Sequence, residues 1–110
     1  MMDLTQKIKS SFNRDRVYYT RHAKIEMEKE EFGRIYEYEV YEAITNGEEI
    51  EEYPESKPYP CILIFGRTKV NRPLHIVCSY NEEEDITIVV TVYHPNPDLW
   101  IDYRKRRKNL

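Results

Sequence analysis

The sequence contains no Gly-rich phosphate loop, no Ser nucleophile elbow and no CxxC pair. P-loop nucleotide chemistry, serine-hydrolase chemistry and thioredoxin-like redox chemistry therefore drop out. Its 2 cysteines, Cys61 and Cys78, each sit inside an apolar run and read as reduced core residues. No apolar run approaches the roughly 20 residues that span a bilayer, and the N-terminus lacks the apolar core of a signal peptide. A cytoplasmic protein with no membrane partner is expected. No internal repeat is visible, and 110 residues bound a single domain over 1–110, with a core over about 17–103 and a basic tail over 104–110.

Charge is present but unevenly placed. Residues 37–60 carry a net charge of -7, whereas the segments before and after them each carry +2. The tail Arg104-Lys-Arg-Arg-Lys108 concentrates five cations. Such a tail could hold a phosphate backbone, or could simply be a solvated helix end whose cations suit the helix dipole.

Leu4, Ile8 and Phe12 suggest a short amphipathic helix over 3–13. Val17-Tyr18-Tyr19 reads as a brief extended piece, and Thr20 as the N-cap of a Glu- and Lys-rich helix to about Phe32, ended by Gly33. Val40, Ala43 and Ile44 predict a helix over about 37–46, with Asn46-Gly47 as a left-handed stop. From Glu48 the period becomes strand-like: Glu48–Tyr53, Cys61–Thr68, Arg72–Tyr80 and Ile86–Pro95. Asp98 is expected to open a closing helix that packs Leu99, Trp100 and Tyr103 on the sheet. The expected fold is α+β, with N-terminal helices, an antiparallel sheet of about four strands and a C-terminal helix.

The last two strands carry polar residues in apolar runs. Alternation puts Leu74, Ile76, Cys78, Ile86, Ile88, Val90 and Val92 on one face, the expected floor for the helices. The other face carries His75, Thr91 and Tyr93, with Arg67, Lys69 and Arg72 near the adjoining tip. Taking Asn81–Asp85 as the hairpin loop sets His75 opposite Thr91 and Tyr93 one diagonal step away. Imidazole, phenol and cations are what metal-free RNA cleavage needs: a base for the 2′-OH, an acid for the leaving oxygen, and charges for the phosphate. The bland alternatives are a hydrogen-bonded structural histidine and a rim-packing tyrosine. His94 points to the opposite face from Tyr93. A zinc site of His22, His75 and His94 lacks any close-spaced ligand pair, so neither metal nor cofactor is expected.

Arg21-His22-Ala23, Val40-x-x-Ala43-Ile44-x-x-Gly47-Glu48, Arg72-Pro-Leu-His75-Ile-Val77 and Thr91-Val-Tyr93-x-Pro95-x-Pro97-x-x-Trp100 occur in that order. Together they resemble the prokaryotic domain-of-unknown-function 4258 family over about residues 17–106. That family is similar to the RelE/ParE-like toxin superfamily, with BrnT- and MqsR-type relatives. The resemblance implies a RelE-like fold, a metal-independent endoribonuclease acting on mRNA, and an antitoxin partner of zinc-ribbon or DNA-binding type. Carried over by position, it implies His75, His22 and Tyr93 as catalytic residues. Arg72, Arg21 and Thr91 would contact RNA, and Trp100 would be a structural anchor; Arg67 and Lys69, outside the matching motifs, join the RNA-contacting set by their charge at the adjoining tip. The chain departs from the family pattern in the helix after His22, where Glu26 and Lys29 replace expected arginines, and in the insertion Glu30–Tyr36. Two other readings stand beside the toxin: a non-catalytic RNA-binding or protein-interaction module, and a structural domain that pairs with a second copy through the edge strand Glu48–Tyr53.

Overall fold

Asp3 and Gln6 open the first helix by a reciprocal exchange. The Asp3 carboxylate accepts the Gln6 amide at 2.8 Å, and the Gln6 side-chain oxygen accepts the Asp3 amide at 2.9 Å. This capping box satisfies donors that a helix start leaves open. The helix, α1 (Leu4–Asn13), turns Ile8, Ser11 and Phe12 inward. The computed structural model describes residues 2–108, so the last two positions of the tail lie outside the described residues. After α1 come β1 (Val17–Tyr19), α2 (Arg21–Glu28) and α3 (Glu37–Thr45). Then follow β2 (Glu48–Tyr53), β3 (Cys61–Arg67), β4 (Pro73–Asn81), β5 (Ile86–Tyr93) and a small hairpin of β6 (Trp100–Ile101) and β7 (Lys105–Arg106).

The sheet has five strands in the order β1-β5-β4-β3-β2, and it is mixed rather than antiparallel throughout. The extended piece Val17–Tyr19 is the fifth strand, parallel to β5 with Val17 opposite Thr87 and Tyr19 opposite Val89. The remaining pairs are antiparallel. Among the described residues the fold is therefore α+β with three helices and a mixed five-stranded sheet.

Among the described residues the expected C-terminal helix is not formed, and the hairpin β6–β7 stands in its place. Asp102 and Tyr103 both take left-handed backbone angles, φ 52° and 61°. Two such residues in succession cannot continue a right-handed helix but form the primed turn that joins twisted strands. The Arg104 amide closes that turn on the Ile101 carbonyl at 3.0 Å.

Two helix boundaries also differ from expectation. α2 ends at Glu28 rather than Phe32, and the Ile35 amide returns to the Met27 carbonyl at 2.9 Å. α3 stops at Thr45 without a left-handed Gly47; the glycine with positive φ is Gly33, at 106°. Gly47 is needed for closeness instead, because a Cβ there would lie 2.5 Å from Ile64 Cγ2. Gly66 is tighter still, its backbone meeting the Ala43 carbonyl of α3 where a Cβ would stand 1.9 Å from the oxygen.

All three helices cover one face of the sheet. Ile8, Phe12, Ala23, Met27, Val40, Ala43 and Ile44 bury against Ile62, Ile64, Leu74, Ile76, Cys78, Val89 and Val92. Each large aliphatic side chain so buried contributes about 1.5–3 kcal/mol before the entropy of ordering is counted. The expected floor is half right: on β5, Thr87 and Val89 face the helices, whereas Ile86, Ile88 and Val90 do not fill that core. The reason lies in the register. Asn81 rather than Tyr80 pairs with Ile86, and a bulge leaves Val90 unpaired between Val77–Thr91 and Cys78–Val89. Cys61 pairs with Ser79 and Cys78 with Ile62, so the two free, buried thiols point to opposite faces. Among the described residues, no helix is long and apolar enough to cross a membrane.

Candidate functional site

The second sheet face carries Leu63 and Phe65 of β3, His75 and Val77 of β4, and Thr91 and Tyr93 of β5. The one-residue shift at the turn and the bulge at Val90 together set Tyr93 directly opposite His75, in place of the expected Thr91, which pairs with Val77. Over this pair lies the C-terminal hairpin. The Trp100 ring meets the His75 ring edge-on at 4.5 Å, and Phe65 and Tyr93 flank the imidazole at 5.9 and 5.2 Å. His75 has no solvent exposure.

Both imidazole nitrogens are committed. Nε2 lies 2.6 Å from the Tyr103 carbonyl, which can only accept, so Nε2 carries the proton. Nδ1 lies 3.1 Å from the Tyr93 hydroxyl and accepts from it. Burial pushes the imidazole pKa down to about 4, against the opposing pull of the Tyr103 carbonyl and Glu51. Burial likewise raises the Tyr93 phenol to about 12. The pair is thus a neutral imidazole held by a neutral phenol and a backbone carbonyl.

Of the cations expected to serve phosphate, Arg72, Arg104 and Arg106 stand in ion pairs. Arg72 reaches the Glu39 carboxylate and the Gly33 and Arg34 carbonyls, closing the segment between α2 and α3. Its side chain is only 16% exposed and that of Glu39 9%. Arg104 pairs with Glu48, and Arg106 pairs with Glu51 at 2.9 Å. Arg104 also lies over Phe65, and Arg106 over Trp100. The tail is a latch across the acidic strand β2 rather than a free arm. Arg67 stacks between Phe65 and Tyr103, within the same aromatic group as His75. Lys69 is exposed at the β3–β4 tip, where its amide donates to Glu42 at 3.0 Å.

His22 and Arg21 belong to the helix layer, away from the face that holds His75. The His22 side chain is 70% exposed and lies 3.7 Å from Glu26. His75 and Tyr93 are therefore brought together with Arg67 nearby, whereas His22, Arg21, Arg72 and Lys69 stand elsewhere. His94 stacks on Phe32 at 4.6 Å.

Sequence reading overlooked a different role for α2. Among the described residues no strand neighbours the edge of β5 beyond Tyr19, and α2 with its flanking residues supplies the missing partners. The Thr20 hydroxyl donates to the Val90 carbonyl at 3.3 Å, Glu26 accepts the Val92 amide at 2.8 Å, and Glu30 accepts the His94 amide at 2.6 Å. Glu26, which stands where an arginine was expected, is thus a carboxylate substitute for a strand, and burial raises its pKa. The signal available in advance was the pair Glu26 and Glu30 in a segment expected to be helical; in the structure Glu26 lies in α2 and Glu30 just beyond its end. The tail-to-β2 pairing had a signal too: five cations in one segment and -7 in another.

Among the described residues, no group of three or more His, Cys, Asp or Glu side chains could hold a metal ion. What defines the class is an α+β fold with helices on one sheet face and a buried His–Tyr pair under a hairpin on the other. The chain belongs to the family described as domain of unknown function (DUF4258), whose model matches residues 19–94. The match takes in α2 through β5, and the hairpin lies beyond it. No curated protein and no solved structure matches the chain.

Proposed function

We propose that this chain is a non-catalytic protein-interaction module. One observation carries the reading: His75 is fully buried with both nitrogens bonded inside the protein. A general base must reach the proton it removes within about 3 Å, and no substrate can approach this imidazole while the hairpin is closed. The charge inventory favours protein over RNA as the partner. Arg72, Arg104 and Arg106 are spent on the chain's own carboxylates, whereas RNA affinity grows with each free cation placed on a phosphate. Tyr36, Tyr38 and Tyr41 stand 47%, 63% and 43% exposed along the helix layer, and tyrosine is enriched at protein interfaces.

Co-expression with the product of the neighbouring reading frame tests this. The expected result is a complex that purifies intact, while the isolated chain leaves single-stranded and ribosome-bound RNA uncut. Cleavage by the wild type that disappears in a His75→Ala, Tyr93→Phe double variant would overturn it.

A second reading keeps the RelE/ParE-like resemblance: a latent mRNA-cleaving toxin, held inactive by an antitoxin of zinc-ribbon or DNA-binding type. Its support is the covered His75–Tyr93 pair itself, under a hairpin whose ion pairs to β2 are made by arginines 53% and 61% exposed. Growth arrest and RNA cleavage that emerge only when Trp100→Ala loosens the hairpin would favour it. Cytoplasmic localisation belongs to both readings.

A further inference from the structure

β2 is the terminal strand of the sheet, and its outer side is open. Among the described residues, the only main-chain hydrogen bond it makes beyond its ladder with β3 joins the Tyr53 carbonyl to the Ser56 amide. Six residues present roughly 20 Å of strand, enough to receive another. Unpaired strand edges bind extended segments through main-chain hydrogen bonds, and flanking side chains choose the partner.

The side chains of β2 set that choice. Glu48 and Glu51 point to the face that holds His75, where the chain's own Arg104 and Arg106 neutralise them. This is a working example, within the molecule, of arginines pairing with this strand, Arg106 from the extended β7 and Arg104 from the turn before it. Glu49 and Glu52, opposite Ile64 and Ile62, point the other way. With Asp3, Thr5, Pro54 and Pro60 they line an open groove of about 590 Å3 between the start of α1 and the strand. Among the described residues, none of these three carboxylates is in an ion pair. Burial, then Glu52 and Asp3, push the Glu49 carboxyl above its ordinary value.

Acidic side chains on an edge also keep a sheet from pairing with its own copies. Two β2 edges laid antiparallel would set glutamate against glutamate, so a second copy is the wrong occupant. A gatekeeping role needs the charges alone, whereas here Glu49 and Glu52 of the edge strand also line an open groove. We propose that the outer edge of β2 accepts an extended, Lys- or Arg-bearing segment of another protein as an added strand, with alternate cations entering the groove of Asp3, Glu49 and Glu52. This rests on the protein-interaction reading and names the chemistry of the partner.

A labelled ten-residue peptide alternating Lys with Val and Thr is the probe, read by fluorescence anisotropy and by hydrogen exchange of the full chain. Binding is expected to slow exchange at the β2 amides and to weaken about tenfold in Glu49→Lys, Glu52→Lys and again on raising salt. A peptide N-methylated at alternate residues keeps its charge but loses strand donors, and is expected to lose binding. Equal binding by the N-methylated peptide, indifference to the double substitution, protection away from β2, no binding at about 1 mM peptide, or RNA occupying this edge would each overturn the proposal. If the co-expressed complex forms and survives the double substitution, this surface is wrong while the interaction module stands. Absence of any complex, with the peptide bound at β2, sinks the choice of partner gene and leaves the edge supported.

Discussion

The Trp100 ring stands edge-on over the His75 ring, their centroids 4.5 Å apart and their planes at 88°. This contact, more than the ion pairs around it, fastens the C-terminal hairpin. Trp100 is 3% exposed, whereas the Arg104 and Arg106 side chains remain 53% and 61% exposed. Trp100→Ala should therefore cost about 3–5 kcal/mol. Arg104→Ala with Arg106→Ala should cost about 1 kcal/mol or less, since exposed pairs are screened by water and salt. Urea unfolding of both variants checks the order, and the reverse ranking would make the hairpin an electrostatic latch.

Stability should fall in mildly acid solution because His75 resists protonation. Its folded pKa lies at about 4, against about 6.5 in an unfolded chain. Below about 6.5 the unfolded state takes up a proton that the folded state refuses, so stability is complete above that pH and declines toward pH 4, by a few kcal/mol at most. Replacing His75 with Gln should lower stability at neutral pH yet flatten the decline between pH 6.5 and 4, as followed by the urea midpoint. Asp85 acts in a separate window. Arg14, then Tyr80, hold its pKa down to about 2, so its contribution is present above about 3.9 and lost as pH falls further. A decline in the Gln variant as steep as in wild type would assign the upper window to another group.

Arg72 should prove to be a structural clamp. Its guanidinium ties Glu39 of α3 to the Gly33 and Arg34 carbonyls. Arg72→Ala leaves a nearly buried carboxylate unpaired, a loss of about 3–5 kcal/mol. Lysine has no fork with which to hold two carbonyls and a carboxylate together, so Arg72→Lys should recover only part of it. Hydrogen exchange of residues 30–36 should quicken in both variants. A variant of full stability that merely lost RNA binding would restore Arg72 to the phosphate role.

The common face of His75 and Tyr93 was legible from alternation alone, since odd positions on both strands survive a two-residue change of register. Their direct pairing was not, because it depends on the Val90 bulge and on where the turn closes. The same bulge explains why Cys78 and Ile76 lie in the helix-side core as alternation predicts, whereas Ile86, Ile88 and Val90 do not. Burial of His75 was hidden for another reason. Leu99, Trp100 and Tyr103 are spaced as one helical turn, and nothing marks Asp102-Tyr103 as left-handed because neither residue is glycine. A buried histidine and a catalytic one share the same local sequence; the covering segment distinguishes them, and it comes from the far end of the chain.

Gly66 should be the least replaceable residue of the sheet. It lies in β3, opposite Leu74 of β4, at the point where the strand passes under the Ala43 peptide. A Cβ at this position would sit 1.9 Å from the Ala43 carbonyl oxygen and 2.6 Å from its carbonyl carbon. Both are backbone atoms, so no rotamer can relieve the overlap; α3 must lift from the sheet or β3 must bend. Either movement opens the contact among Ala43, Ile44 and Ile64. Gly66→Ala should thus destabilise by at least about 1–3 kcal/mol, the range for overpacked cores. Gly33→Ala has open space around it but carries φ 106°, so it tests backbone strain without overlap. Thermal unfolding of the two variants separates the causes: combining Gly66→Ala with Ala43→Gly cannot relieve a backbone overlap, so failure of that pair to recover stability is the expected result. Recovery would show that α3 can settle around a side chain at position 66.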